Sequence, residues 1–200
     1  MTGMPKPHLD PIADEVWRLL NAGANAGKTR SPFTMLQAAT IGLDGSPRVR
    51  TVVLRRVCRE QRSVMFHTDV RSAKVAELRQ DARIALVGCD LDTGIQIRLH
   101  GSARIVDAPH ETRDIWTASR PRTLIVYRTP LAPATPVASP AEAHATTAGE
   151  DIDSSAGFEN FCLIDVAVSK IDYLDLNPAG HVRASFTFDA GAWRGEWIAP

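Results

Sequence analysis

Donor groups suited to an anion are concentrated between residues 50 and 74. The stretch holds two arginines on a predicted strand, a His-Thr pair ending the next strand, and a serine and a lysine opening a predicted helix: Arg50, Arg55, His67, Thr68, Ser72 and Lys74. A helix N-terminus presents free N–H groups and a partial positive charge. Together with hydroxyl, ammonium and guanidinium donors, it favours binding of a phosphate dianion. A merely capped helix would carry the same serine and lysine.

Charge is distributed unevenly along a chain whose formal net charge is zero, with 23 basic and 23 acidic side chains. Residues 48–83 carry a net charge of +6, and residues 140–200 carry −7. The balance argues against a nucleic-acid-binding protein held by bulk charge. Arginine outnumbers lysine, and its planar fork suits phosphate and carboxylate groups. The basic segment is therefore expected to bind a small anion.

Cysteine and histidine spacing gives no sign of a metal site or a disulfide framework. Cys58, Cys89 and Cys162 are isolated and odd in number, and the six histidines show no metal-ligand spacing. Cys89 and Cys162 lie in apolar runs, so we predict that both are small core residues. No metal is expected.

The 200 residues fit one domain spanning the whole chain, with a composition typical of a globular protein. No apolar run is long enough for a membrane helix, and the N-terminus lacks the apolar stretch of a secretory signal. We therefore expect a cytoplasmic protein with no membrane partner.

Hydrophobic periodicity predicts a helix over residues 10–21, begun by Asp10 as its cap, and a second short helix after Ser72. Between and after them the pattern predicts strands, with a further helix at 109–118: strands at 35–43, 49–58, 64–68, 84–87, 95–106, 161–168, 171–176 and 181–188. The proline- and alanine-rich stretch 129–157 is predicted to be a flexible insertion or lid.

Many antiparallel-looking strands separated by short helices favour a closed or partly closed β-barrel. A doubly wound nucleotide fold would need alternating strands and helices with a glycine-rich turn. Neither G-x-G-x-x-G nor G-x-x-x-x-G-K-[ST] is present. Dinucleotide-binding dehydrogenases and P-loop enzymes are thereby set aside.

Several short motifs, in order, resemble the FMN-binding core of the pyridoxamine 5′-phosphate oxidase family. The first two are the run Arg50 to Arg55, which is similar to the family's R-x-V-L-L-K, and Ser72-Ala73-Lys74, which is similar to its S-R-K. The others are a glutamine on a long strand before a glycine, an S-R-P-R run, and the C-terminal residues: Gln96, Ser119 to Arg122, and Trp197 to Pro200. Each motif is weak alone, but their order and spacing agree over most of the chain.

The resemblance implies a mainly β (α+β) fold, an FMN-binding split β-barrel of Greek-key type that forms a homodimer with FMN between the subunits. It implies the following cofactor-binding residues: Arg50, Thr51, Val52, Val53, Arg55, His67, Thr68, Ser72, Lys74 and Gln96. It also implies that Arg120, His181 and Arg183 bind the substrate, and it assigns no catalytic side chain. Arg50 and Arg55 differ in strand parity, so a shared site requires a bulge or local twist between them.

The sequence also departs from the family pattern. Ala73 replaces an arginine that would bind the phosphate, and His67 replaces a tyrosine. Trp116 and Leu124 replace the tyrosine and serine that accompany the substrate-binding arginine, and Ser185 replaces a C-terminal arginine near the flavin. These departures favour an FMN enzyme acting on a small, anionic substrate other than a vitamin B6 phosphate.

The expected function is an FMN-dependent oxidoreductase that transfers a hydride from its substrate to the flavin. One alternative is a flavin carrier or sensor that keeps the phosphate site but does not turn over. A second alternative is a split barrel that binds a deazaflavin or haem in place of FMN.

Overall fold

The computed structural model describes residues 9–27, 30–143 and 155–200. It contains four α-helices in that part of the chain: α1 (Asp10–Ala24), α2 (Ala73–Gln80), α3 (Pro109–Ala118) and α4 (Pro121–Leu124). It also contains eight strands: β1 (Met35–Ile41), β2 (Pro47–Cys58), β3 (Ser63–Asp69), β4 (Arg83–Asp90), β5 (Ile95–Val106), β6 (Phe161–Asp175), β7 (Val182–Asp189) and β8 (Ala192–Trp197). The protein is mainly β with short helices, as predicted.

The eight strands form one antiparallel sheet in the order β3-β2-β1-β4-β5-β6-β7-β8, and an additional β3–β6 pairing closes six of them into a barrel. Three consecutive strands joined by tight turns precede a fourth that returns beside the first, which is the Greek-key order. Helix α2 lies in the connection that carries the chain from β3 to β4. This connection brings the start of α2 next to the end of β3.

Strand β6 is continuous, so the prediction of two separate strands at 161–168 and 171–176 is wrong. Its pairing with β5 shifts register, since His100 is opposite Lys170 and Gly101 is opposite Val168. Ser169 is thus an extra residue, and the polar pair Ser169-Lys170 marks a bulge, not a strand end. The first half of β6 closes the barrel against β3, and its second half pairs with β7.

The barrel interior is filled by inward-facing aliphatic and aromatic side chains of the six strands, and α1 covers one side of it. Val16, Trp17 and Leu20 of α1 are buried in this core. Leu9 occupies the N-cap position of α1, and Asp10 is its first helical residue, so the predicted capping role of Asp10 is wrong. Pro11 explains the start of the helix because proline is well tolerated in the first turn.

A second apolar cluster lies on the outer face of the barrel. Trp116 of α3, Leu124 of α4 and Tyr127 pack on Phe161 at the start of β6. The rings of Trp116, Tyr127 and Phe161 lie 5.1–6.0 Å apart and pack at steep angles. This cluster fixes the short helices α3 and α4 beside the outward-facing side chains of β3.

The predicted insertion Thr129–Gly157 is anchored at both ends. Arg71 donates hydrogen bonds to the carbonyls of Thr129 and Pro130. Gly157 has φ +83°, and a Cβ there would lie 2.6 Å from the Tyr127 carbonyl oxygen. Residues 144–154 lie outside the described residues, so the predicted flexibility of the whole insertion stays a prediction.

Cys89 does not belong to the core, contrary to expectation, whereas Cys162 is fully buried. The inward positions of β4 are taken by Ile84, Leu86 and Gly88, so Cys89 points outward. In the described ranges, no three His, Cys, Asp or Glu side chains lie close enough to bind a metal ion. No helix of the same ranges is long and apolar enough to cross a membrane.

Candidate functional site

The end of β3 and the start of α2 bring Lys74, Thr68 and Ser72 together. The Lys74 ammonium donates hydrogen bonds to Thr68 Oγ1 at 2.8 Å and to Ser72 Oγ at 3.1 Å. Both hydroxyl residues are buried, and Lys74 is half-buried. Burial, and then the charge of Arg50, lower the pKa of Lys74 below its ordinary value. This group, with Arg50, is called the phosphate corner below.

Ser72 stands at the N-cap of α2, as predicted, but its side chain does not cap the helix. The hydroxyl donates to the Asp69 carbonyl at 2.7 Å instead. The Ser72 side chain therefore supplies no acceptor to the first N–H groups of α2. That of Val75 donates to the Ser72 main-chain carbonyl at 2.9 Å, which leaves those of Ala73 and Lys74 to an anion.

Arg50 lies on β2 at the same end of the barrel, where its guanidinium is bound by Glu77 of α2 and Thr40 of β1. Arg50 Nη2 lies 2.6 Å from Glu77 Oε2, and Arg50 Nη1 donates to Thr40 Oγ1 at 2.5 Å. Thr40 in turn donates to Glu77 Oε2 at 2.5 Å. Sequence reasoning missed Glu77, whose apolar neighbours on α2 gave no sign of a buried carboxylate.

Arg55 lies at the register shift between Leu54 and Arg56, so β2 does carry the irregularity that a shared site for Arg50 and Arg55 would require. In one chain, however, the two arginines line different cavities. Arg50 points toward α2 at the end of the barrel, whereas Arg55 points outward toward the helices that follow β5.

The outward-facing cavity has a volume of about 640 Å³, within the range of small-molecule sites. Its cationic lining is Arg30, Arg55, Arg120 and Arg122, and no carboxylate of residues 9–27, 30–143 or 155–200 lines it. Arg55, Arg120 and Arg122 form no ion pair with the described residues, whereas most other arginines of these ranges do. Burial and the charge of Arg120 lower the pKa of Arg55. We call this cavity the arginine cavity.

His67 of β3 lines the arginine cavity, and its ring contacts Phe161 edge-on at 5.0 Å. Burial, and then the charge of Arg55, lower the pKa of His67 to about 4, so the imidazole is neutral at pH 7. Its Nδ1 is buried and has no hydrogen-bond partner among the described residues. Leaving an acceptor nitrogen unpaired costs less than burying an unpaired N–H, which favours the tautomer with the proton on Nε2.

The remaining expected cofactor residues lie on β2 and β5. Val53 lines the arginine cavity, Thr51 is exposed, and Val52 is buried in the core, so Val52 can offer a ligand only its main chain. Gln96 of β5 lies beside Cys89, with Cys89 Sγ 3.8 Å from Gln96 Oε1, and lines none of the cavities described here.

His181 and Arg183 line a separate cavity of about 510 Å³ with Tyr173 and Trp197, so one chain does not bring them to Arg120. Arg183 is bound by Asp172 of β6, with Nη2 3.0 Å from Oδ2. Asp172 also accepts from Arg98 at 2.8 Å. The guanidinium of Arg183 is thus already engaged inside the chain.

Comparison with known proteins agrees with this barrel. A protein from Arabidopsis thaliana named pyridoxine/pyridoxamine 5′-phosphate oxidase 2 is 32% identical over 169 residues, which cover 80% of this chain and 83% of that protein. The chain belongs to the pyridoxamine 5′-phosphate oxidase family. The family description "Pyridoxamine 5′-phosphate oxidase, FMN-binding domain" matches residues 14–107, from α1 to the end of β5. FMN is therefore the cofactor of this family member.

Two solved structures share the fold over nearly the whole chain. A pyridoxamine 5′-phosphate oxidase-related, FMN-binding protein from Nostoc punctiforme aligns with a TM-score of 0.72 at 21% identity, covering 100% of this chain and 99% of that chain. PhzG from Burkholderia lata aligns with a TM-score of 0.69 at 18% identity, covering 98% and 95%. The split-barrel fold predicted from the sequence is confirmed.

The residues of the phosphate corner fit the phosphate of FMN. An ammonium, two buried hydroxyls and the open N-terminus of the eight-residue helix α2 converge there. A carboxylate is bound to Arg50 but none is hydrogen-bonded to Lys74 in the described part of the chain. Such donors match the acceptor oxygens of a phosphate dianion.

Proposed function

We propose that this protein is an FMN-dependent oxidoreductase that acts on a small anionic substrate, with the flavin at the interface of a homodimer. The observation that carries the proposal is the arginine cavity. Four guanidinium groups line it, the part of the chain that the structure describes adds no carboxylate, and β2 runs between it and the phosphate corner. Arginines that lack internal partners are available to an anionic ligand.

In this proposal the phosphate corner holds the flavin through Lys74, Thr68, Ser72 and Arg50. The main chain of Thr51, Val52 and Val53 in β2 lies against the flavin. Gln96 faces the flavin ring system. The position of Gln96 rests on the family resemblance, since this residue lines none of the cavities found in one chain.

Substrate binding is assigned to Arg120, as expected from the sequence, and to Arg55, which the sequence analysis gave to the cofactor but which lines the same cavity as Arg120. The charges of the two arginines are close enough to interact. They would fix the anionic end of the substrate, and the neutral imidazole of His67 would offer an N–H donor beside them. The loop after α1 forms another wall of the cavity. Bound FMN supplies a two-electron acceptor for hydride.

A second copy of the chain is proposed because the expected substrate residues are split between two cavities. Arg120 lines one cavity, and His181 and Arg183 line the other. Large apolar side chains are also exposed, including Leu43 at 60%, Val49 at 67% and Leu91 at 92%. Mass measurement by light scattering is expected to give twice the mass of the chain, and a monomer at all concentrations would contradict this part of the proposal.

A flavin carrier or sensor is the second candidate, and a specific observation favours it. Arg183 is occupied by Asp172, and the family's tyrosine and serine beside Arg120 are replaced by the buried side chains of Trp116 and Leu124. Neither Trp116 nor Leu124 lines the arginine cavity, so the cavity offers a substrate fewer side-chain contacts than the family pattern provides.

The two candidates are separated by reduction of the bound flavin in the absence of oxygen. FMN-loaded protein is mixed with pyridoxamine 5′-phosphate, the compound in the relatives' name, and then with other small anionic amines and alcohols. Bleaching of the flavin absorbance by one of them, abolished in Arg120→Ala but kept in the exposed control Arg194→Ala, is the expected result. Full retention of flavin without bleaching by any compound would favour the carrier.

A further inference from the structure

The carboxylate of Glu77 is buried inside the phosphate corner. Its side chain is 6% exposed, and the side chain of its partner Arg50 is 23% exposed. Thr40 bridges the pair, because its hydroxyl accepts from Arg50 and donates to Glu77. The three groups form a closed set of hydrogen bonds that links β1, β2 and α2.

Neighbouring charges leave this corner with little net positive charge. Glu77 offsets Arg50, and the other buried carboxylate, Asp69, is paired with Arg71 at 2.7 Å. Both carboxylates act electrostatically on Lys74. Ala73, which lines the same cavity as Arg50 and Glu77, supplies no guanidinium where the family pattern has one. Among the described residues, Lys74 is the one cation of this group that has no carboxylate hydrogen-bonded to it.

We propose that Glu77 is a built-in counter-anion that limits the affinity of the phosphate corner for FMN and so keeps the cofactor exchangeable. The inference rests on the proposed phosphate site. A phosphate monoester carries close to two negative charges at pH 7, and a buried carboxylate next to its ligands repels it with little screening by solvent. The Glu77 carboxylate also holds the Arg50 guanidinium in a fixed orientation. Removing the whole side chain would therefore change both the charge of the corner and the position of Arg50.

The substitution Glu77→Gln separates these two effects. Oε2 of Glu77 accepts from both Arg50 and Thr40, and a glutamine carbonyl oxygen in its place can accept from the same two donors, so the hydrogen bonds persist while the charge is removed. FMN binding is expected to tighten by about tenfold. Riboflavin, which has no phosphate, should bind equally well before and after the change.

The test is a titration of flavin fluorescence with wild-type protein, Glu77→Gln and the control Glu111→Gln. Glu111 forms an exposed ion pair with Arg104, so the control makes the same chemical change away from the corner. Tighter FMN binding only in Glu77→Gln, reduced by added salt, is the expected result. Unchanged or weaker FMN binding by folded Glu77→Gln would overturn the inference.

A second comparison remains informative if Glu77→Gln alone folds poorly. The double variant Arg50→Gln/Glu77→Gln removes a neutral pair, and it should bind FMN more tightly than Arg50→Gln, in which the carboxylate is left uncompensated. Equal affinities would overturn the inference. Wild-type protein that binds no FMN would refute the phosphate site itself, whereas FMN binding that depends on Lys74 but not on the Glu77 charge would refute only this inference.

Discussion

The carboxylate of Asp172 accepts hydrogen bonds from Arg183 at 3.0 Å and from Arg98 at 2.8 Å, which ties β7 and β5 to β6. Burial acts to raise the pKa of Asp172, but the hydrogen bonds and charges of the two arginines outweigh it and hold the pKa below its ordinary value. Asp172 is 5% exposed, so its loss would leave guanidinium groups partly buried without an acceptor.

Asp172→Asn is expected to lower the free energy of unfolding by about 2–4 kcal/mol at neutral pH, as measured in urea. The stabilisation by an ionised carboxylate with a lowered pKa is present above its unfolded-state pKa and is lost as pH falls through the folded-state value. The difference between variant and wild type should therefore shrink below about pH 4. Asp189→Asn, in an exposed pair with Arg194, is the control. An equal decrease in the free energy of unfolding in both variants would contradict the stabilising role of Asp172.

His67 predicts an acid-dependent loss of stability. The imidazole has a pKa of about 4 in the folded chain and about 6.5 when unfolded, so the unfolded state binds more protons between these values. Stability should fall by up to about 3 kcal/mol as pH drops from 6.5 to 4. The dependence of the free energy of unfolding on pH between 4 and 6.5 should become weaker in His67→Phe. It should be unchanged in His110→Gln, because the side chain of His110 is exposed. An unchanged slope in His67→Phe would show that this histidine is protonated normally.

Gly101 is predicted to be required for the bulge that joins the two halves of β6. A Cβ at this position would lie 2.2 Å from the Ala167 carbonyl oxygen, so the strands would have to separate. Gly101→Ala should cost about 2–4 kcal/mol in urea unfolding. Gly27→Ala, where no atom of the described residues lies within 4 Å of the added Cβ, should be close to neutral. A neutral effect at Gly101 would mean that β5 and β6 pair differently.

The thiols are predicted to differ in reactivity. Burial raises the pKa of Cys162 to about 12, and the residue is fully buried, so its thiolate is scarce and inaccessible. Cys89 is exposed on β4. A colorimetric thiol reagent should modify Cys89 in the folded protein and Cys162 only after unfolding. Because the partly exposed Cys58 can also react, the test uses a Cys58→Ser background, in which Cys89→Ser should remove the fast phase. A fast phase absent before Cys89 is replaced would place Cys89 inside the fold.

The local pattern of apolar and polar residues predicted most helices and strands, because the alternation of side chains along a strand is visible in the sequence. Strand β5 at 95–106 and helix α3 at 109–118 have the predicted bounds. The closure of the barrel by β3 and β6 could not be derived in this way, since it joins residues about 100 positions apart. The β6 bulge was mistaken for a strand end because a bulge and a break both interrupt the alternation.

The phosphate corner was predictable where its members are neighbours in sequence. Thr68, Ser72 and Lys74 lie within seven positions, and the turn into α2 brings their side chains together. Glu77 was missed because its partners Thr40 and Arg50 come from other strands, and only the closed barrel shows that its position is buried. The sequence likewise could not show that Arg55 points away from Arg50, because this depends on the direction in which the β2 bulge turns the chain.

The most direct test of the account is the visible absorbance of purified protein incubated with FMN and then desalted. Wild-type protein should retain the flavin bands, and Lys74→Ala/Arg50→Ala should lose them while remaining folded by circular dichroism. Lys170→Ala, an exposed lysine of β6, should behave as wild type. Flavin retained equally by the double variant, or a wild-type protein that stays colourless, would contradict the assignment of the phosphate corner.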